Sequence, residues 1–339
     1  MKYKQLYLVF LIIVCVNGIL QAQKCRFTIG DVFNVYPINQ GEGFVYQKKL
    51  TISGTSFTEC YPYFSKKNIP SDQQQDSCFL TPSTIQSISY LHLSNNKGYV
   101  PEICENLSNI TDIEVRNHYG FHKTISRLKN LKRIIVSSSH NIKGIENLKS
   151  KTLTLFSTRL GSLHGKQLAV LCNQNPNLET IAVMDDSIKS HKLLNNESIN
   201  ALKKLAKLHN LSMDLTNADS CFVSVFECAN LTHLSLHNAN FDNYTKSEGI
   251  IRQQSISNLT GLKSLTINGF KIKNSLAVLP FMQNLEYLEI DLSDYTDEEI
   301  LKTLKHLPKL QCVSINLGEK NAHSQELLDF LNLKNCSCW

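Results

Sequence analysis

The side chains in this sequence that are best suited to chemistry are a histidine pair and a cysteine cluster. His233 and His237 fall on one face of a predicted strand, and Asp214 falls on the next strand, so the three could hold a metal ion. A second possible ligand set near the C-terminus contains Cys312, Cys336, Cys338 and His323. Histidines on a surface and cysteines in disulfides explain both sets better, and we expect no metal site.

The motifs of the common enzyme classes are missing from the sequence. It contains no G-x-S-x-G nucleophile elbow, no Gly-rich phosphate loop and no H-E-x-x-H. His92 is distant from the histidine pair along the predicted stack of strands. We therefore expect no catalytic residues, no cofactor and no enzyme activity.

The element that positions these side chains is a short repeated unit, clearest in NLTGLKSLTINGFKI at Asn258–Ile272. Leu259, Leu262, Leu265 and Ile267 follow the spacing L-x-x-L-x-x-L-x-L, in which an apolar turn leads into a strand whose alternate residues point into a core. One such unit cannot bury its own apolar face, so it needs copies on both sides.

Similar strand cores recur at intervals of about 19 to 31 residues. A sandwich of unrelated strands would space them by about 8–12 residues, which does not fit. The predicted cores are Leu91/Leu93, Ile113/Val115, Ile134/Val136, Leu153/Leu155, Ile181/Val183, Leu211/Met213, Leu234/Leu236, Leu265/Ile267, Leu288/Ile290 and Val313/Ile315.

Over Ile85–Leu317 the sequence resembles the leucine-rich repeat superfamily, in its secreted type with irregular repeats. The resemblance implies an α/β fold: a solenoid shaped as a horseshoe or arc, with parallel strands on the concave face and mixed helices and turns on the convex face. The family's usual Asn or Cys after the strand is present only as Asn96 in the first repeat.

The longer repeats contain patterns typical of helices. Apolar residues follow Asn196 at helical spacing, Gln167–Cys172 is a shorter candidate, and Thr296 with Glu299 forms a capping box. A last helix begins in Ser324–Leu331.

Function is expected on the concave face, where the strand residues that do not enter the core are displayed in columns. The middle column is small and rich in hydroxyl groups, with acidic residues at both ends, which favours a shallow surface for a protein partner. Relief of crowding on a curved sheet would also explain the small residues. The candidate contact residues are Tyr90, His92, Glu114, Arg116, Arg133, Phe156, Met184, Asp214, His233, His237, Tyr287, Glu289 and Asp291.

The N-terminal residues predict the localisation of the protein. Lys2 and Lys4 precede the apolar run Leu6–Val16 and small residues near Gly18, which is typical of a secretory signal peptide and too short for a membrane span. We expect a secreted, extracellular protein without a membrane span. Its predicted divisions are a signal peptide at 1–22, an N-terminal cap with a Cys-flanked insertion at 23–84, about ten repeats at 85–317 and a Cys-containing cap at 318–339.

Cysteines and glycosylation motifs are consistent with secretion. Of the 11 cysteines, Cys15 leaves with the signal, and an even number remains for disulfides. Cys60 with Cys78, and Cys221 with Cys228, are pairings that the sequence suggests without fixing them. The disulfide candidates are Cys25, Cys60, Cys78, Cys104, Cys172, Cys221, Cys228, Cys312, Cys336 and Cys338. N-x-S/T motifs mark Asn106, Asn109, Asn196, Asn210, Asn230, Asn243, Asn258 and Asn335 for glycosylation.

The formal net charge of +6 is small and its positive residues are scattered, so we expect no nucleic-acid partner. The resemblance implies binding of an extracellular or cell-surface protein, or of a glycan, in adhesion, immune recognition or inhibition. A structural component of an extracellular matrix or coat is the alternative. The sequence leaves the oligomeric state open.

Overall fold

The protein is described by a computed structural model. It forms two compact units, residues 1–152 (unit 1) and 153–339 (unit 2). The structure describes residues 25–38, 41–54, 86–94, 99–100, 107–116, 120–137, 142–159, 163–184, 194–215, 220–237, 248–250, 259–269, 271–318, 323–333 and 337–338. The predicted signal peptide, the Cys60–Cys78 insertion and the Cys104 position lie outside these residues.

Unit 1 contains one main sheet in the order β1-β2-β3-β5-β7 and a small parallel pair, β4-β6. β1 and β2 are antiparallel, and every following neighbour in the main sheet is parallel. The strands are β1 (Cys25–Ile38), β2 (Gly41–Gly54), β3 (Tyr90–Ser94), β4 (Tyr99–Val100), β5 (Asp112–Arg116), β6 (Gly120–Phe121) and β7 (Arg133–Ser137).

Unit 2 contains a parallel sheet in the order β8-β9-β10-β11-β13-β15-β16-β17, beside a parallel pair, β12-β14. Its strands are β8 (Leu155–Arg159), β9 (Thr180–Met184), β10 (Asn210–Asp214), β11 (His233–His237), β12 (Glu248–Ile250), β13 (Ser264–Asn268), β14 (Lys271–Lys273), β15 (Tyr287–Asp291), β16 (Cys312–Asn316) and β17 (Ser337–Cys338).

The parallel strands pair without offset, so each apolar pair lies beside the pair of the next repeat. Leu211 is opposite Leu234, and Leu234 is opposite Leu265, all at 2 % exposure or less. Burying one such side chain stabilises the fold by about 1.5–3 kcal/mol relative to leaving it in water. Nine of the ten predicted strand cores are confirmed, and the predicted repeat fold is confirmed with them.

The exception is β8, where the predicted core Leu153/Leu155 is wrong. Phe156 is opposite Ile181 and Thr158 is opposite Val183, and both Phe156 and Thr158 are fully buried. Leu153 is buried as the apolar residue that leads into the strand, three positions before the core pair. Phe156 is therefore a core residue, and its expected place on the partner-facing surface is also wrong.

The predicted helices are present in unit 2, on the connections between strands. The helices are α1 (Gly165–Gln174), α2 (Asn196–Lys203), α3 (Ser275–Val278), α4 (Asp297–Lys305) and α5 (Gln325–Leu333). Thr296 caps α4 as expected: its hydroxyl accepts from the Glu299 amide, and the Glu299 carboxylate accepts from the Thr296 amide. Short 3₁₀ turns fill other connections, at Lys123–Arg127, Ile145–Asn147, Ser220–Glu227 and Leu279–Phe281. Within the described residues, no helix is long and apolar enough to cross a membrane.

Asparagine side chains link neighbouring repeats, a role that the sequence analysis did not predict. They occupy the position directly before the apolar residue that precedes the strand core by three positions, as Asn284 does before Leu285. Each side-chain amide donates to a backbone carbonyl of the preceding repeat. The bonds run from Asn109 to Gln86 (2.6 Å), from Asn130 to Ser108 (3.3 Å), from Asn230 to Ala206 (2.8 Å) and from Asn284 to Thr260 (2.6 Å).

We expect Asn284→Ala to lower the free energy of unfolding by about 1 kcal/mol, because it removes the donor to the Thr260 carbonyl. Lys207 occupies the same position in another repeat and is exposed, so Lys207→Ala is the matched control. Urea denaturation of the two variants measures the difference. Equal stability of Asn284→Ala and the parent protein would contradict a linking role.

A close backbone contact in unit 1 depends on two glycines. The Phe121 amide donates to the Lys143 carbonyl at 2.9 Å. Gly120 directly precedes Phe121, and Gly144 directly follows Lys143. Gly144 has φ +74°, and a Cβ built there would lie 2.0 Å from the Phe121 carbonyl oxygen. A Cβ built at Gly120 would lie 2.1 Å from the Lys143 carbonyl oxygen. Only a residue without a side chain fits at either position.

Candidate functional site

The surface that displays side chains in each unit is formed by the first, third and fifth residues of the strands, whose second and fourth residues are in the core. We call this surface the display face, formed in unit 1 by β3, β5 and β7 and in unit 2 by β8, β9, β10, β11, β13, β15 and β16. Because the strands pair in register, residues at the same strand position form rows across the sheet. All predicted contact residues except Phe156 lie on a display face.

In unit 1 the display face is centred on Glu114. Arg116 donates to Glu114 Oε1 through Nε at 3.1 Å and Nη2 at 3.0 Å, and the Tyr90 hydroxyl donates to Oε2. His92 Nδ1 is 3.7 Å from Glu114 Oε2. Burial on its own would raise the pKa of Glu114, but the Tyr90 bond, the His92 ring and Arg116 together hold that pKa below its usual value.

A second ion pair completes this cluster. Arg133 Nε donates to Asp112 Oδ1, and the Thr111 hydroxyl donates to Asp112 Oδ2 at 2.6 Å. Tyr90 and His92 are only 8 % and 9 % exposed. The charged side chains of this cluster therefore largely neutralise one another. The display face of unit 1 offers a partner little unneutralised charge.

In unit 2 the carboxylates have a different environment. Glu289 accepts from the Tyr287 hydroxyl at 2.9 Å and from Asn268 Nδ2 at 3.2 Å. Among the described residues, only neutral groups donate to it. Burial first, and then the Glu289 carboxylate, raises the pKa of Tyr287 to about 12.

Asp291 has a structural task beside this carboxylate. Its Oδ1 accepts from the Ser293 amide at 2.9 Å and the Ser293 hydroxyl at 2.6 Å, and its Oδ2 accepts from Asn316 Nδ2 at 3.0 Å. Asp291 is 9 % exposed. It therefore fixes the turn after β15 and adds negative charge beneath the surface. The residues that the sequence analysis gave no role, Asn268 and Asn316, orient the two carboxylates from neighbouring strands.

The two histidines on the display face of unit 2 contact neighbouring hydroxyl groups. His237 Nε2 is 2.6 Å from Ser235 Oγ, and His233 Nδ1 is 2.9 Å from Thr232 Oγ1. Burial, His209 and Lys263 lower the pKa of His233, and Glu286 opposes them. Among the described residues, no group of three or more His, Cys, Asp or Glu side chains could hold a metal ion.

The Ser235–His237 contact resembles part of a hydrolase site, but the described residues of β11 offer no oxyanion site beside it. Serine hydrolysis needs free amide donors aimed at a developing oxyanion. β11 is paired on both sides, with β10 and β13, so its backbone amides belong to the sheet.

The predicted thiol chemistry needs one correction. Cys172 and Cys228 were disulfide candidates, yet both are free and buried in unit 2. Burial raises the pKa of Cys172 far above its usual range and that of Cys228 to about 12, so both act as small apolar core residues. Cys312 is half-buried on the display face. The side chains of the other seven candidates lie outside the described residues.

Parallel strands that each bury an apolar pair, joined by short helices and 3₁₀ turns, define the leucine-rich repeat fold. The chain therefore has this fold. No family model matches its sequence, and no curated protein matches it either. A solved internalin structure from Listeria monocytogenes is similar in fold, with a TM-score of 0.51 at 13 % identity, over 75 % of this chain and 74 % of that one. A leucine-rich repeat protein of Leptospira interrogans matches over 84 % of this chain and 99 % of its own, with 12 % identity and a TM-score of 0.31.

Proposed function

We propose that this protein is a secreted binding protein, and that the display face of unit 2 recognises a protein segment carrying Lys or Arg side chains. The observation that carries the proposal is the charge of this face. At its display positions β8 has one arginine, Arg159, in register with Met184. The 18 displayed residues of β9, β10, β11, β13, β15 and β16 include no Lys or Arg, in a chain whose formal net charge is +6. They include three carboxylates, Asp214, Glu289 and Asp291.

The local contacts of Glu289 support a cationic partner. Its hydrogen bonds come from neutral donors, so its charge is not cancelled within the described part of the chain. A Lys or Arg side chain would supply the missing positive charge, and charge complementarity of this kind directs both encounter and choice of partner. Tyr287 and Met184, which is 38 % exposed, provide apolar area on the same face.

Secretion is part of the proposal and is supported by the sequence: a basic start, an apolar run and small residues in the first 22 positions. A structural role in an extracellular matrix or coat is the second candidate. It would depend on contacts between copies of the chain rather than on the carboxylates of the display face.

The test is binding of the purified, secreted protein to immobilised Lys- and Arg-containing peptides, compared with the same peptides in which Gln replaces those residues. We expect Glu289→Gln to weaken binding of the basic peptides about tenfold, which is about 1.4 kcal/mol. Asp291 is left intact because its loss would release the Ser293 turn.

The matched control is Glu298→Gln, which removes the same charge from an exposed position in α4. Binding that ignores peptide charge, or that falls equally in both variants, would contradict the proposal. Sedimentation separates the matrix alternative, which predicts self-association that persists in Glu289→Gln.

A further inference from the structure

We propose that Asn196 carries an N-linked glycan, and that the other three described acceptor asparagines, Asn109, Asn210 and Asn230, do not. The inference rests on the proposed secretion, since N-glycosylation follows entry into the secretory pathway. It goes beyond the binding proposal because it concerns the opposite side of unit 2.

Asn196 is the acceptor whose side chain has the most freedom. It is exposed at the first residue of α2, and among the described residues no hydrogen bond holds its amide. The cap of α2 is provided by its neighbours instead. Asn195 Oδ1 accepts from the Ser198 amide at 2.8 Å, and Ser198 Oγ accepts from the Asn195 amide at 2.9 Å. A glycan on Asn196 Nδ2 therefore disturbs neither the cap nor the core.

Asn109 and Asn230 differ because their Nδ2 atoms belong to the links between repeats. They donate to the Gln86 and Ala206 carbonyls, at 2.6 Å and 2.8 Å. A sugar on either nitrogen would compete for space at the junction of two repeats. Both side chains are exposed, as Asn196 is, so the link to the preceding repeat is what distinguishes them from Asn196.

Asn210 is unsuitable for another reason. It lies on the display face at the first position of β10, half-buried, with Nδ2 3.4 Å from Thr180 Oγ1. Its Oδ1 atom is buried as well. A glycan here would stand over the row of His233, Ser264 and Tyr287 and would cover the surface proposed for the partner.

The modification balances as a simple transfer. Asn196 Nδ2 loses one proton and forms a bond to the anomeric carbon of an oligosaccharide. The bond from that carbon to the diphosphate of a polyprenyl-diphosphate-linked donor breaks, and the lipid diphosphate leaves. Since α2 lies on the helical side of unit 2, the glycan shields that side and leaves the display face open.

The experiment uses the full chain secreted by cultured eukaryotic cells. Peptide N-glycosidase in ¹⁸O water converts each glycosylated Asn to a labelled Asp, and mass spectrometry of the peptides reports the positions. We expect the label at residue 196 and none at 109, 210 or 230. An unlabelled residue 196, or a label at any of the other three, overturns the inference.

Two variants make the result specific. Asn196→Gln is expected to lose one glycan while keeping secretion and peptide binding, whereas Ser198→Thr keeps both the acceptor motif and a hydroxyl and is expected to keep the glycan. A secreted protein with no label at 196 refutes this inference and leaves the binding proposal standing. A chain that is retained in the cell with its first 22 residues uncleaved and no glycan refutes both.

Discussion

Replacing Phe156 with alanine is expected to lower the free energy of unfolding by about 3–5 kcal/mol, the usual cost of removing a large aromatic side chain from a core. Phe156 is fully buried and is one of the largest buried side chains in the described chain. In register with Ile181 on β9, it fills the interior beneath β8. Urea denaturation of the purified variant measures the effect.

The control is Met184→Ala, on the display face of the neighbouring strand and 38 % exposed, which we expect to change stability by less than about 0.5 kcal/mol. The comparison also decides the role of Phe156. If Phe156 were a contact residue, its loss would weaken partner binding at unchanged stability. A Phe156→Ala variant as stable as the parent would contradict the register of β8.

The second large effect is expected for Gly144→Ala, which we predict to destabilise the protein by about 2–5 kcal/mol. A left-handed backbone costs a residue with a Cβ about 1–2 kcal/mol, and forcing atoms into a packed site adds about 1–3 kcal/mol. Both apply, since Gly144 has φ +74° and its Cβ would lie 2.0 Å from the Phe121 oxygen.

Gly261→Ala is the matched control for this substitution. A Cβ at Gly261 would be 3.9 Å from its nearest neighbour, the Leu231 carbonyl oxygen, which is an ordinary contact. We expect its stability to be unchanged or to rise by about 0.4–1 kcal/mol, because alanine has fewer conformations to lose on folding. Thermal unfolding of the two variants gives the comparison, and equal melting temperatures would contradict the close contact in unit 1.

Much of the fold could be predicted because each repeat leaves the same local signal. Leu211/Met213 and Leu288/Ile290 were recognisable without knowing their neighbours, since an apolar pair two residues apart has one buried direction in a strand. The prediction was wrong for β8 because the core of this strand contains Thr158, a polar residue that the search for apolar pairs does not detect. The segment before it, from Leu153 to Leu155, offered a more hydrophobic pair of the same spacing.

A regularity in the spacing could have corrected the error. With Phe156 as the core residue, the steps from Ile134 and to Ile181 are about 22 and 25 residues, closer to the common repeat length than the steps obtained with Leu153. Leu153 then matches the apolar residue that precedes the core pair by three positions, as Leu131 precedes Ile134.

The display face was predictable in composition but not in its bonding. The sequence identified Glu114 and Glu289 as displayed acids, and the local difference between them is that Arg116 follows Glu114 by two residues where Asp291 follows Glu289. Their difference comes from partners one repeat away: Tyr90 and His92 surround Glu114, together with Arg116 on its own strand, whereas Asn268 reaches Glu289. Side-chain pairing between strands depends on rotamers and packing, which a single repeat does not encode.

The two sulfurs in the interior of unit 2 have a consequence for the proposed secretion, because they limit when thiol chemistry can take place. Before folding, Cys172 and Cys228 are ordinary thiols, open to oxidants and to exchange with any other cysteine. After folding, burial suppresses their thiolate forms and removes them from that chemistry. In an oxidising compartment, unit 2 therefore has to fold before Cys172 and Cys228 are oxidised. Disulfides can then form among the remaining cysteines without these two.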